Sequence, residues 1–149
     1  MSNRKRKKYV PKSFESVGAT FIDDNGTKRV DTSANIYDSM MLSKAYRDLK
    51  TRQQQLYTIC KAQYYGKRKP KQDYADIEQF QDDTCFYLNL GNVVRYGLYT
   101  QNMRKEFYGD MKALQEHGFI IQISKGGGNG KTKSIYQFVS DWRTWIPPK

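Results

Sequence analysis

The run GGGNGKT at 126–132 is the part of this chain that most resembles a catalytic motif. A glycine-rich loop can cradle phosphates with its backbone N–H groups, but it needs Gly-x4-Gly-Lys-Thr and then a helix whose N-terminus faces them. Counting back from Gly130-Lys131-Thr132, the first required glycine falls on Lys125, and the following SIYQFV alternates like a strand. The run reads instead as a hairpin tip whose Lys125, Lys131 and Lys133 approach a polyanion backbone. His117 is the only histidine, and Cys60 and Cys85 are the only cysteines, with no CxxC pair between them. That set lacks the spacing of a zinc site, and a histidine at a helix end can simply cap carbonyls. Twelve tyrosines have no arginine–histidine constellation to activate a phenol, and no paired carboxylates argue for magnesium. The expectation is a protein that is not an enzyme, with no catalytic residues, no metal and no small-molecule cofactor.

A second set of residues suits recognition. Gln101, Asn102 and Lys105 are of the types that pair with base edges, Asn and Gln with adenine and Lys with guanine. Arg104, Tyr108 and Lys112 suit phosphates, which set register without reading sequence. Arg4, Lys5, Arg6, Lys7, Lys8 and Lys12 crowd residues 1–12 without an acid among them. Such a segment is expected to be disordered in isolation, either as a solubilising tail or as an arm lying along phosphates or in a minor groove. Lys67, Arg68 and Lys69 open a charge-split connection over 66–83, where a solvated loop competes with phosphate contact. Lysine plus arginine number 26 against 15 acids, a net charge of +11. That surplus favours polyanionic partners whatever the fold, and an ordinary solvated surface is the bland reading of each face.

The elements that would position these groups follow from period and capping. Met103, Phe107, Met111 and Leu114 make one helical stripe over residues 100–118. Thr100 is the expected N-cap and Gly118 the expected C′ residue, with Leu114 and Phe119 forming the contact of a Schellman stop. Gly109 falls on the outer face, where close approach to a duplex or a simple bend would account for it. Asn89 caps a shorter helix over 90–96 that Gly97 closes, leaving Leu98 and Tyr99 as a tight link between two helices. Residues 119–124 and 134–139 alternate as strands about the glycine-rich tip. Upstream, residues 51–65 form a helix with Thr51 and Gln54 as a capping box and Leu56, Ile59, Cys60 and Tyr64 on one face. Residues 85–89 form a strand that enters the helix pair.

The whole reads as α+β, a winged helix-turn-helix over 51–149 with its wing at about 125–133. Ahead of it lies an N-terminal extension over 13–50 that packs on the core, containing a β-hairpin or extended segment turned at Asn25-Gly26, and a disordered basic arm over 1–12. Residues 35–42 are ambiguous between strand and helix, and 43–49 suit one or two helical turns. Trp142 and Trp145 are expected to pack back on the domain, a dimer contact being the sharper alternative. No apolar run reaches membrane-spanning length and no secretory signal opens the chain. Two cysteines outside any framework fit free core thiols in a reducing cytoplasm.

The run LYTICKAQYYGK, then FYLN, the helix pair, KALQEHGFI and the Gly/Lys wing ending SIYQF resembles the N-terminal winged-helix domain of plasmid replication initiators of Gram-positive bacteria. It is also similar to small helix-turn-helix proteins of integrative mobile elements. The likeness spans roughly 51–139 and rests on pattern. It implies double-stranded DNA binding, often to repeated sites as a homodimer, with residues 100–112 as recognition helix and 125–133 as wing. Initiators of that kind carry a further C-terminal domain, and this sequence stops at Lys149, which leaves a regulator or accessory factor open. The expected function is sequence-specific DNA binding that controls replication or transcription of a mobile genetic element in the bacterial cytoplasm, at the nucleoid. The alternatives are a protein-interaction module or element-encoded inhibitor, and a non-specific RNA or single-strand binder. The last would need aromatics on an open sheet face, whereas Phe119, Ile121, Ile123, Ile135 and Phe138 look like core.

Overall fold

The computed structural model describes residues 20–30, 34–63, 84–125 and 134–148. The chain divides into two compact units, Met1–Asp31 and Thr32–Lys149. In the first, β1 (Thr20–Ile22) and β2 (Lys28–Val30) pair antiparallel around the expected Asn25-Gly26 turn. Asp23 organises that turn. Its carboxylate accepts from the backbone N–H groups of Asn25 and Thr27 and from the Arg29 guanidinium, and the arginine holds the carboxyl below its usual range.

The second unit is α+β. Its order is α1 (Asp38–Met41), α2 (Lys44–Asp48), α3 (Thr51–Ala62), β3 (Cys85–Tyr87), α4 (Leu90–Val93), a 3-10 turn (Val94–Tyr96), α5 (Arg104–Glu116), β4 (Ile120–Ser124), β5 (Ile135–Phe138) and a 3-10 turn (Asp141–Arg143). The three strands form an antiparallel sheet in the order β3-β5-β4, so the strand that enters the helix pair lies against the returning strand of the hairpin. The ambiguous 35–42 stretch resolves as helix α1, and Ser43 caps α2 by accepting from the Tyr46 N–H. Met40, Ala45 and Leu49 of these turns join the core with Leu56, Tyr57, Cys60, Val93, Tyr99, Phe107, Met111, Leu114 and Phe119. Aromatic rings bind sheet to helices. Phe86 stacks on Phe138 at 4.5 Å, and Tyr57 meets Phe119 at 4.9 Å. Burial pushes the Tyr57 phenol and the Cys60 thiol up, and Cys60 and Cys85 are both buried and not in disulfides.

The α5 stop has the expected form. Phe119 N–H donates to Leu114 C=O and Gly118 N–H to Gln115 C=O, with Gly118 at φ +80°. A side chain there would also collide with the chain end, since a Cβ on Gly118 would lie 2.6 Å from the Trp142 backbone nitrogen. Trp142 N–H in turn donates to Gly118 C=O, Trp142 stacks on Phe119, and Trp145 stacks on His117 at 4.6 Å. Both tryptophans therefore pack back, as expected. His117 Nδ1 lies against Ala113 C=O, the capping role expected of it, and Nε2 lies 2.8 Å from the Asp48 carboxylate.

Other boundaries differ from the sequence reading. α5 begins at Arg104 with Met103 as its N-cap, not Thr100, and Gln101 and Asn102 lie in a turn ahead of it. Tyr99 explains the delay. Its ring is edge-on to Phe107 and its hydroxyl donates to Asp110, so the chain runs alongside the helix and must turn before joining it. The link between the helices is thus Gly97 to Met103 rather than Leu98-Tyr99. The helix expected over 90–96 is α4 continued by the 3-10 turn, with Asn89 accepting from Asn92 N–H and Gly97 at φ +77°. In α3 the box residue is Gln53, which accepts from Lys50 N–H, while Gln54 donates to Tyr46 C=O. Tyr64 lies outside the described residues. In β4 the inward phase falls on Ile120, and Ile121 is 40% exposed. An irregularity between Gln122 and Ser124 then shifts the register, and Ile123 joins Cys85, Ile135 and Tyr87 in a separate small cluster.

Candidate nucleic-acid interface

Helix α5 has two faces with opposite fates. Phe107, Asp110, Met111 and Leu114 are buried, while Arg104, Lys105, Glu106, Tyr108, Gly109, Lys112 and Glu116 are exposed. Asp110 lies on the buried stripe, three residues from Phe107 and four from Leu114. Its carboxylate accepts from Arg52 Nε at 2.6 Å, from Gln53 at 3.2 Å and from the Tyr99 hydroxyl at 2.5 Å. Burial alone would raise the Asp110 pKa, but the Arg52, Tyr99 and Gln53 hydrogen bonds outweigh it and hold the carboxyl below its usual range. Burial also pushes the Tyr99 phenol up, so it stays a donor. This network joins α3, the interhelical link and α5, and it fixes the rotation of α5 about its own axis.

That rotation decides what α5 offers to solvent. Arg104 and Tyr108, one turn apart, lie together with the guanidinium carbon 5.0 Å from the ring centroid. Beside them the sheet face that carries Ile120, Phe138 and Phe86 inward becomes polar towards the hairpin. Gln122 stands opposite Tyr136 there, and the strands leave the sheet through Lys125 and Ser134. Arg104, Tyr108, Gln122, Lys125, Ser134 and Tyr136 line a notch of about 250 Å³. Tyr136 is its buried wall. Desolvation pushes that phenol up to about 12, against a smaller opposing effect of its hydrogen bond with Ser134. The phenol is therefore protonated at neutral pH. Among the described residues neither Arg104 nor Lys125 has an ion pair.

Of the residues singled out in the sequence, the fold brings Arg104, Tyr108 and Lys125 together at this notch. Lys105 and Lys112 share the exposed face, and Lys112 lies 3.8 Å from Glu116 in a solvated pair of little energetic weight. Gln101 and Asn102 are exposed in the preceding turn, off the helix itself. The arm residues Arg4, Lys5, Arg6, Lys7 and Lys8, the connection residues Lys67, Arg68 and Lys69, and the tip residues Lys131 and Lys133 lie outside the described residues. Gln122, Ser134 and Tyr136 do not stand out in the sequence. Their signal there is weak, a polar residue in an apolar strand, a serine just ahead of β5 and a tyrosine within it.

Among the described residues no group of three or more His, Cys, Asp or Glu side chains is arranged to hold a metal, and no helix is long and apolar enough to cross a membrane. No family model, curated protein or solved structure matches this chain.

Proposed function

We propose that residues 51–149 are a winged helix that binds double-stranded DNA sequence-specifically, without enzymatic activity, and controls replication or transcription of a mobile genetic element. The element order helix, strand, helix, helix, strand, strand and the sheet order β3-β5-β4 support the winged-helix reading. The observation that carries the function is the placement of the exposed Arg104–Lys105–Tyr108–Lys112 face of α5 beside the Lys125 root of the hairpin. A helix face and a ribbon on one side of a domain suit a major groove and its flanking backbone. Lys105 is the base-reading candidate on the helix itself, and Gln101 and Asn102 reach the groove from the turn. The sheet aromatics Phe86, Tyr136 and Phe138 stack on one another, which favours a duplex over a single strand laid on an open sheet. The reading places the protein on bacterial DNA in the cytoplasm.

Gel shift over a salt series, after selection of bound fragments from random DNA, tests this. Affinity should fall linearly on log–log axes, with a slope of about −0.9 per phosphate neutralised. Lys105→Ala should reduce discrimination between the selected site and random duplex by about 1–3 kcal/mol. Deleting residues 1–8 should weaken binding to both alike. Equal loss on both duplexes for Lys105→Ala would count against groove readout.

A further inference from the structure

We infer that the notch between α5 and the root of the β4–β5 hairpin is a seat for one phosphoryl group, with Arg104 and Lys125 converging on the same phosphate. This rests on the DNA-binding reading and makes it specific: the helix and the hairpin share one backbone phosphate instead of each holding its own.

The lining carries the inference. Arg104 comes from the first turn of α5 and Lys125 from the end of β4, so the two cations reach the notch from separate elements. Neither is ion-paired among the described residues, so no carboxylate there competes with an incoming anion. Glu106, the acid in the first turn of α5, is exposed and is not among the residues lining the notch. The remaining lining, Tyr108, Gln122, Ser134 and Tyr136, is uncharged and holds no acid. A guanidinium with an ammonium and neutral donors is the donor set that a phosphate's oxygens take up. Tyr108 is a positioning residue. Its ring lies under the Arg104 guanidinium and keeps the fork from swinging into solvent. At about 250 Å³ the notch has room for a phosphate.

The phosphoryl group could belong to a duplex backbone or to a free anion, and two arms separate these sources. In the first, salt-dependent duplex binding is measured for the full chain, Arg104→Ala, Lys125→Ala and the double variant, with circular dichroism to verify folding. Each single variant should lower the magnitude of the log–log slope by up to about 0.9, and the double variant by about 0.9 in all, because one phosphate is lost. One neutral methylphosphonate linkage in the duplex should weaken wild-type binding, weaken Arg104→Ala and Lys125→Ala less, and have no effect on the double variant. Tyr108→Leu should weaken binding and Tyr108→Phe should not. A double variant that loses about 1.8 in slope, twice the value for one phosphate, or a scan in which Arg104→Ala and Lys125→Ala blunt the effect at different linkages, overturns the shared seat while leaving DNA binding intact. The second arm titrates the full chain with inorganic phosphate and follows the Tyr108, Gln122 and Ser134 amides by NMR. If duplex binding fails but these amides shift in wild type and not in Arg104→Ala, the notch is a free-phosphoryl site and the DNA reading falls. If neither phosphate nor duplex produces an effect that Arg104→Ala removes, the inference is wrong.

Discussion

The two faces of α5 are built from nearly the same parts. On the inner face an arginine, a tyrosine and an amide surround Asp110. On the outer face an arginine, a lysine, two tyrosines, a serine and an amide line a notch, with no carboxylate among them. The inner cluster is complete, since its donors converge on a buried acceptor and its effect is to hold two helices in register. The outer cluster has the donors without the acceptor. Residue type therefore does not distinguish the two clusters, whereas the presence of a buried counter-charge does.

That contrast can be broken deliberately. Asp110→Ala should have the largest effect on folding, about 2–4 kcal/mol in urea unfolding. The lower part of that range allows for Arg52, which keeps 37% side-chain exposure. A loss below about 0.5 kcal/mol, the level of an ordinary surface substitution, would mean the inner cluster is not structural. Next is the end of the inner face. Gly118→Asn should cost about 2–3 kcal/mol although asparagine tolerates positive φ, because its Cβ meets the Trp142 backbone. At Gly97, where φ is nearly the same and an added Cβ would meet nothing within 4 Å, the same substitution should cost about 1 kcal/mol or less. Thermal unfolding of the two variants side by side decides whether space or conformation governs the two stops.

The inner face should also be the acid-sensitive one. A carboxyl whose folded pKa is depressed contributes stability that is fully present above the ordinary carboxylate pKa of about 4 and is lost as pH falls through the folded value. Urea midpoints measured from neutral pH down into the acid range should drop more for wild type than for Asp110→Asn, and parallel curves would remove Asp110 from the acid response. The smallest expected effect on stability sharpens the contrast from the other side. Arg104→Ala should change folding by no more than about 0.5 kcal/mol while lowering duplex affinity. A marked loss of stability would show that the outer cluster is also structural.

What is legible in the sequence is local. The Asn89 cap, the Gly97 and Gly118 stops, the Asn25-Gly26 turn and the three strands of the sheet each depend on residues within about one turn of each other. The exposed stripe of α5 is legible for the same reason, because a helical period places Arg104, Lys105, Tyr108 and Lys112 opposite Phe107, Met111 and Leu114. Asp110 is not, since its arginine lies 58 residues away and only the folded chain brings them together. The start of α5 is misread because a threonine looks like a cap, and nothing local reveals that Tyr99 is held against the helix. Simple alternation from Phe119 puts Ile121 inside because it ignores both the phase that the Gly118 stop imposes and the irregularity in β4.

Gly118 belongs to two segments at once. Its amide and its neighbour's close α5, while its carbonyl accepts from Trp142 and its bare α-carbon makes room for the chain at Asp141. Neither segment can take its native path unless the other leaves that space, which makes the last turn of α5 and residues 140–145 a single cooperative unit. Loosening the tail would then fray the far end of the helix whose near end lies at the notch, so the tryptophans anchor the same element that carries Arg104 and Tyr108.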